Sequence, residues 1–381
     1  MRLTGARIAT GPRTTVRQDV TIHDGLIHFD QAADQDFDLR GYLLLPGLIN
    51  AHDHLEFNLF PRLGDRLYNN AREWASDIFR PSQSPVREHL AVPKSVRLHW
   101  GGLRNLLSGV TTVAHHNPFE EDVFDAGFPV RVLRRFAWAH SLDFTPDLAA
   151  RHRGTPADWP FIIHAGEGTD AKASLEIARL DQLGVLDSRT VLVHAIAAGP
   201  REIALLHEHR CSIVLCPGSN LAIYGRTLSE EVLASGIPIA LGTDSALTCP
   251  GDLADELSTA HSLGVDAERL YRMVTTGAAS ILRLTGGEGE IRDGGVADLI
   301  AMEDRGQTPA EALLALEPRM VMLGGRISLL AGALASGAAL NPIRVESRGT
   351  FYVKADVSAL CRETSAALGP SFALAGKRIA A

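Results

Sequence analysis

L-P-G-L-I-N-A-H-D-H, residues 45–54, runs an apolar strand straight into two histidines. Alternate residues of a strand share a face, so His52 and His54 point into the same space while Asp53 turns toward packing or a helix-side hydrogen bond. Three further segments have the same build: F-I-I-H-A-G-E at 161–167, V-L-V-H at 191–194 and I-A-L-G-T-D-S at 239–245. Each carries an apolar run into residues able to ligate a cation or move a proton, namely His164 with Glu167, His194, and Asp244. One H-x-H pair says little, because 15 His in 381 residues produce roughly 0.6 such pairs by chance. Four segments of one build say more, since a polar residue at the end of a buried run must be paired or ligated.

Between residues 48 and 289 apolar strands alternate with amphipathic helices, the pattern of a parallel sheet with helical crossovers. Leu48 to Ala51, Val110 to Ala114, Val130 to Trp138, Phe161 to Ile163, Val191 to Val193, Ser212 to Leu215 and Ile237 to Leu241 read as its strands. Only about fifty residues lie between the second strand and Phe161, where two β/α units of ~30 residues each are needed. One strand is placed there, and the barrel is expected to be compressed. Short strands before residue 48, with Asp24-Gly25 as a hairpin turn, need partners to bury a core. Gly295 to Met302 and Met320 to Leu330, with Gly324-Gly325 between them, supply those partners. The expected fold is therefore α/β: a distorted (β/α)8 TIM-type barrel over residues 48–289, with a small β-sandwich built from both chain ends, 1–47 plus 290–345. Residues 346–381 read as a C-terminal strand-helix extension.

A net charge of −8 gives no electrostatic footprint for nucleic acid or an anionic membrane. Cys211, Cys216, Cys249 and Cys361 form no C-x-x-C pair, and the first two flank a strand as small core residues of a reducing compartment. No run of ~18 apolar residues appears and no secretory signal opens the chain, so a cytoplasmic protein is expected.

Three imidazoles, His52, His54 and His164, with the carboxylate of Asp244 suit one divalent cation, zinc or another first-row metal, with a position open to water. Glu167 is then placed to take a proton from that water and pass it to a leaving nitrogen. His194 is placed to steer the attacking oxygen or polarise the scissile bond. The long segment from Glu56 to Leu90 carries Arg62, Arg66, Arg72 and Arg80 with Phe57, Phe60, Tyr68 and Trp74. It reads either as a solvated lid with a few packing aromatics or as a cover that contacts an aromatic or heterocyclic ligand, with an anionic group met by arginine.

These segments resemble the amidohydrolase superfamily, in its cytosine deaminase-like, mononuclear branch. The resemblance is carried by residues 45–54, G-V-T-T-V at 109–113, H-A-G-E at 164–167, V-L-V-H-A at 191–195, L-C-P-G-S-N at 215–220, L-G-T-D-S at 241–245, and the stretches 277–284 and 289–300. It implies a small-molecule enzyme, a hydrolase of carbon–nitrogen bonds other than peptide bonds. His52, His54, His164 and Asp244 would bind the metal, zinc with iron as the alternative. Glu167 would shuttle protons, His194 would position a metal-bound hydroxide, and Asp244 would double as a base. His115, His140, Asn220 and Trp74 are the candidate substrate contacts; His115 or its neighbour His116 stands where relatives often carry an aspartate. A two-metal branch uses a bridging lysine on the fourth strand, but no lysine lies between Lys94 and Lys172, so one ion is expected. The reaction expected is hydrolytic deamination of a nitrogen heterocycle. Hydrolysis of a cyclic amide of imidazolone type, or of another amide, is the alternative, and a non-catalytic scaffold is the remote one. Homodimerisation is a further expectation of the resemblance.

Overall fold

The computed structural model describes residues 1–335 and 339–380. Eight parallel strands form the barrel: β1 (Leu48–Asp53), β2 (Val110–His115), β3 (Arg131–Val132), β4 (Ala137–Ala139), β5 (Phe161–Ala165), β6 (Thr190–His194), β7 (Ser212–Leu215) and β8 (Ile239–Leu241). They pair as two runs, β3-β2-β1 and β4-β5-β6-β7-β8. A parallel bridge between Asp53 and Asp244 links the outgoing end of β1 to the chain just past β8. Among the described residues no ladder joins β3 to β4, and that gap is the distortion.

The single strand expected over 130–138 is thus two short ones. Four residues, 133–136, separate β3 from β4, which leaves no length for a helix between them. This resolves the shortage of chain before β5: the barrel keeps both strands and drops the crossover helix. Elsewhere the outward faces of the strands are apolar and packed under helices. Phe161, Ile163, Leu192, Ile213 and Leu241 share one buried cluster with Leu103, Leu180, Leu206 and Val232. The inward residues Ile49, Ala51, Ile162, Val191, Val193, Val214 and Ala240 form a separate cluster. Small and β-branched side chains there fill the barrel and leave its outgoing ends to the polar residues.

Two antiparallel-rich sheets pack beside the barrel. The smaller runs Leu26–His28, Val20–His23, Arg2–Thr4, Asp36–Asp38. The larger has ten strands and joins Arg7–Ala9 and Tyr42–Pro46 from the N-terminal end to Leu299–Glu303, Met320–Leu323 and Arg326–Ala331 from the C-terminal end. Leu3, Val20, Ile22 and Ile27 of one sheet meet Ile8, Leu44, Leu299, Met320 and Met322 of the other in a single core. The larger sheet continues through Gly349–Val353, Asn341–Val345 and Lys377–Ala380, so the boundary after residue 345 falls in a hairpin turn. The helix expected at the C-terminal end is Val357–Leu368.

Candidate active site

The outgoing ends of β1, β5, β6 and β8 bring His52, His54, His164, His194 and Asp244 around one point. One nitrogen from each of His52, His164 and His194 lies within 4.8 Å of the others, and the same holds for the ligand atoms of His52, His54 and Asp244. His52 Nε2 is 3.2 Å from His164 Nε2, and Asp244 Oδ1 is 3.7 Å from His54 Nε2 and 3.9 Å from His52 Nε2. All except His54 are nearly inaccessible to solvent.

The backbone does local work to achieve this. The register of β1 against β2 shifts between Asn50 and Asp53, which turns both residues toward the helix Lys94–Leu107 and both histidines inward. Asp53 is fully buried and accepts hydrogen bonds from Asn58, Asn105, Thr243 and Asn50, at 2.7, 2.8, 2.9 and 3.1 Å. Its role is therefore to brace the strand from behind. His194 and Asp244 both adopt left-handed backbone angles, φ 74° and 53°. Such a conformation is costly for a residue with a Cβ and is found where surrounding structure enforces it.

Each imidazole also has its Nδ1 engaged by an outer partner. His164 Nδ1 donates to the carbonyl of His140 at 2.8 Å, and His194 Nδ1 to Asn220 Oδ1 at 2.7 Å. His54 Nδ1 meets Asn117 Oδ1. His116 Nε2 donates to the carbonyl of Ala139 at 3.0 Å, so its Nδ1 is the acceptor for His52 Nδ1–H at 3.2 Å. An Nδ1 that gives its proton outward leaves Nε2 with a lone pair directed at the centre, the tautomer a metal requires. Burial, reinforced by the neighbouring histidines, holds His52, His116 and His164 well below the usual imidazole range. Neutral, inward-facing nitrogens plus one carboxylate are the donor chemistry of a zinc-type cation.

Asp244 Oδ2 accepts from Ser219 Oγ–H at 2.6 Å, which keeps Oδ1 on the histidine side. Glu167 stands 3.5 Å from His194 Nε2 through Oε1, and that oxygen also accepts from Tyr224 O–H at 2.8 Å. Burial raises the Glu167 carboxyl above its ordinary range, Asp244 adds to the rise, and His194 and Tyr224 oppose it. Both groups open on a cavity of about 290 Å³ that Phe57, Trp74, His140, Phe144 and Leu247 also line.

Of the four expected substrate contacts, the structure brings Trp74 and His140 to this cavity. His115 and Asn220 do not reach it. His115 faces the other side of β2, beside Glu56 and Phe124, because adjacent strand residues point oppositely; His116 is the one that turns inward. Asn220 lies behind His194 as its hydrogen-bond acceptor. Among the arginines of the covering segment, Arg72 lines the cavity, paired with Asp143 at 3.3 Å across it. Arg66 and Arg80 are instead tied to Glu73 and Asp77 within that segment. Sequence reasoning missed Ser219 and Tyr224; the available signal was that Asn220 and Tyr224 stand four apart on one helix.

Comparison with known proteins bears on the fold and the family. Residues 156–328 match the model of the amidohydrolase family. The 5-methylthioadenosine/S-adenosylhomocysteine deaminase of Syntrophobacter fumaroxidans is 28% identical over 347 residues, covering 72% of this chain and 75% of the relative. That of Thermococcus kodakarensis is 26% identical over 350 residues, covering 74% and 80%. An adenosine deaminase from Xanthomonas campestris with bound zinc superposes with a TM-score of 0.73 at 20% identity, over 96% of this chain and 97% of the other. An atrazine chlorohydrolase from Arthrobacter aurescens, complexed with zinc, gives 0.72 at 19% identity over 96% and 99%. At that identity the structural likeness carries the fold; motif order and the match over residues 156–328 make the chain similar to the amidohydrolase family and support a hydrolase acting on carbon–nitrogen bonds other than peptide bonds.

Proposed function

We propose that this chain is a metal-dependent aminohydrolase that replaces an amine on a nitrogen heterocycle with oxygen and releases ammonia. The observation that carries the reading is two overlapping groups of possible ligands that share His52, one with His164 and His194 and one with His54 and Asp244, beside a buried, cavity-facing Glu167. His52, His54, His164 and Asp244 would hold one divalent ion, zinc by the donor set with iron as the alternative. When bound, such a cation supplies Lewis acidity that brings the pKa of a coordinated water from about 15.7 toward about 7.

The chain's own groups then account for the protons. Glu167 takes one proton of the attacking water and delivers it to the heterocycle, Asp244 accepts the second, and that proton leaves on the departing amine. Carbon–oxygen bond formation and carbon–nitrogen cleavage balance as amine plus water giving the oxo product plus ammonia. His194, held by Asn220, fixes the approach of the oxygen. Trp74 and Phe57 give the cavity an apolar lining suited to a ring, and the Arg72–Asp143 pair adds charged groups to its wall.

The names of the similar deaminases direct the first assays to adenine nucleosides bearing a sulfur substituent. Ammonia release with an amine-for-oxygen exchange across a heterocycle panel, read by mass spectrometry with metal content measured on the same sample, is the expected outcome. A product heavier by one water, with no ammonia, would instead support ring opening of a cyclic amide.

A further inference from the structure

The helix Pro217–Tyr224, directly after β7, reaches three candidate catalytic groups at once. Ser219 holds Asp244, Asn220 holds His194, and Tyr224 holds Glu167. The first two sit in the opening turn and Tyr224 at the last helical position, closed by Gly225 in the left-handed conformation. Tyr224 is buried in a small cluster with Tyr68, Ile196 and Ile223, and it does not line the cavity. It therefore touches Glu167 without being placed to touch substrate.

The detail that matters is which oxygen it takes. Tyr224 O–H and His194 Nε2 both lie against Oε1 of Glu167, at 2.8 and 3.5 Å. A carboxylate pinned at one oxygen loses rotational freedom about its terminal torsion, a broad and nearly two-fold torsion in an unrestrained Glu. We propose that Tyr224 is the positioning residue of the proton shuttle: its hydroxyl fixes Glu167 Oε1 and leaves Oε2 as the atom that exchanges protons with water and substrate. This rests on the deaminase reading above, in which Glu167 carries the protons.

Steady-state kinetics of the metal-loaded enzyme test it, with melting temperature and metal content measured for every variant. Tyr224→Phe keeps the ring in its cluster and removes only the hydroxyl. The expected result is a kcat reduced about tenfold or more with KM changed less than about twofold, the loss of a hydrogen bond to a charged group. In a Glu167→Gln background the same substitution should change the residual rate by less than about twofold, since residues acting through one another are not additive. Ile223→Val, which alters the packing of this helix without touching Glu167, should leave kcat unchanged. The proposal is overturned if Tyr224→Phe leaves kcat intact or acts on KM alone. It is equally overturned if the loss persists undiminished in the Glu167→Gln background, or if Ile223→Val reproduces it. Retained turnover in Glu167→Gln alone would fail the underlying reading instead, which separates the two failures.

Discussion

His115 and His116 are neighbours of identical chemistry, yet one braces the site and the other is buried on the opposite face of the strand. The His116 ring stacks on His164 at 4.4 Å between centroids and orients His52 through Nδ1. The alternation of a strand says that one of two adjacent side chains faces inward, but with two histidines it does not say which. His52, His54, His164, Glu167, His194 and Asp244 stood out in the sequence as polar ends of apolar runs, and the structure gathers them at one end of the barrel. The left-handed backbone at His194 and Asp244 did not stand out, since nothing in V-L-V-H or G-T-D-S announces a positive φ. At this scale the account predicts that Glu167→Gln keeps its metal, measured by elemental analysis, while turnover falls by about 10²-fold or more. Unchanged turnover would remove Glu167 from the mechanism.

Two elements set the position of the candidate site from outside the barrel. The helix Lys94–Leu107 approaches the chain just after His54 so closely that a Cβ on Gly101 would lie 2.3 Å from the carbonyl oxygen of Leu55. Gly101→Ala should therefore destabilise the protein by roughly 1–3 kcal/mol, as overpacking in a rigid core does, and weaken metal retention with it. Thermal melts and metal titration check both effects, and an unshifted melting temperature would contradict the packing argument. On the other side, the helix Leu253–Ser262 presents Glu256, whose Oε2 accepts from Gly218 N–H at 2.8 Å and anchors the first turn of Pro217–Tyr224. Burial pushes the Glu256 carboxyl up to about 8, against 4.5 in an open chain. The folded state thus holds a proton that the unfolded chain releases, and stability drawn from this group is full below about pH 4.5 and lost as pH rises to about 8. Glu256→Gln removes that dependence, so parent and variant melting temperatures should diverge in favour of the variant between pH 5 and 8. A difference constant across that range would contradict the assignment. Of these elements the sequence displayed the strands β5 to β8 clearly, because each is a short apolar run ending in a motif. It merged β3 and β4 into one strand, Val130 to Trp138, because no turn motif marks the four residues between them.

For the whole molecule, a barrel closed by a sandwich from both ends was readable from the paired strand patterns at 1–47 and 295–330. The place of the last residues was not. Their strands extend the ten-stranded sheet, and the helix Val357–Leu368 packs on the barrel, where Trp100 Nε1 donates to Thr364 Oγ1 at 2.7 Å. A polar contact of |i−j| = 264 leaves no trace in local sequence. Truncation after Val345 would uncover Trp100 and strip both neighbours from Asn341–Val345, so the shortened chain should bind ANS and lose soluble yield. A truncated protein that melts like its parent would show the segment to be dispensable. Among the described residues no helix is long and apolar enough to cross a membrane. The central claim is a lone divalent ion at the barrel mouth. Anomalous diffraction at the zinc edge from zinc-loaded crystals tests it most directly. The account predicts one peak, about 2.0–2.2 Å from Nε2 of His52, His54 and His164 and from an oxygen of Asp244. A second peak of equal height in the site, or a peak that bypasses these four side chains, would contradict it.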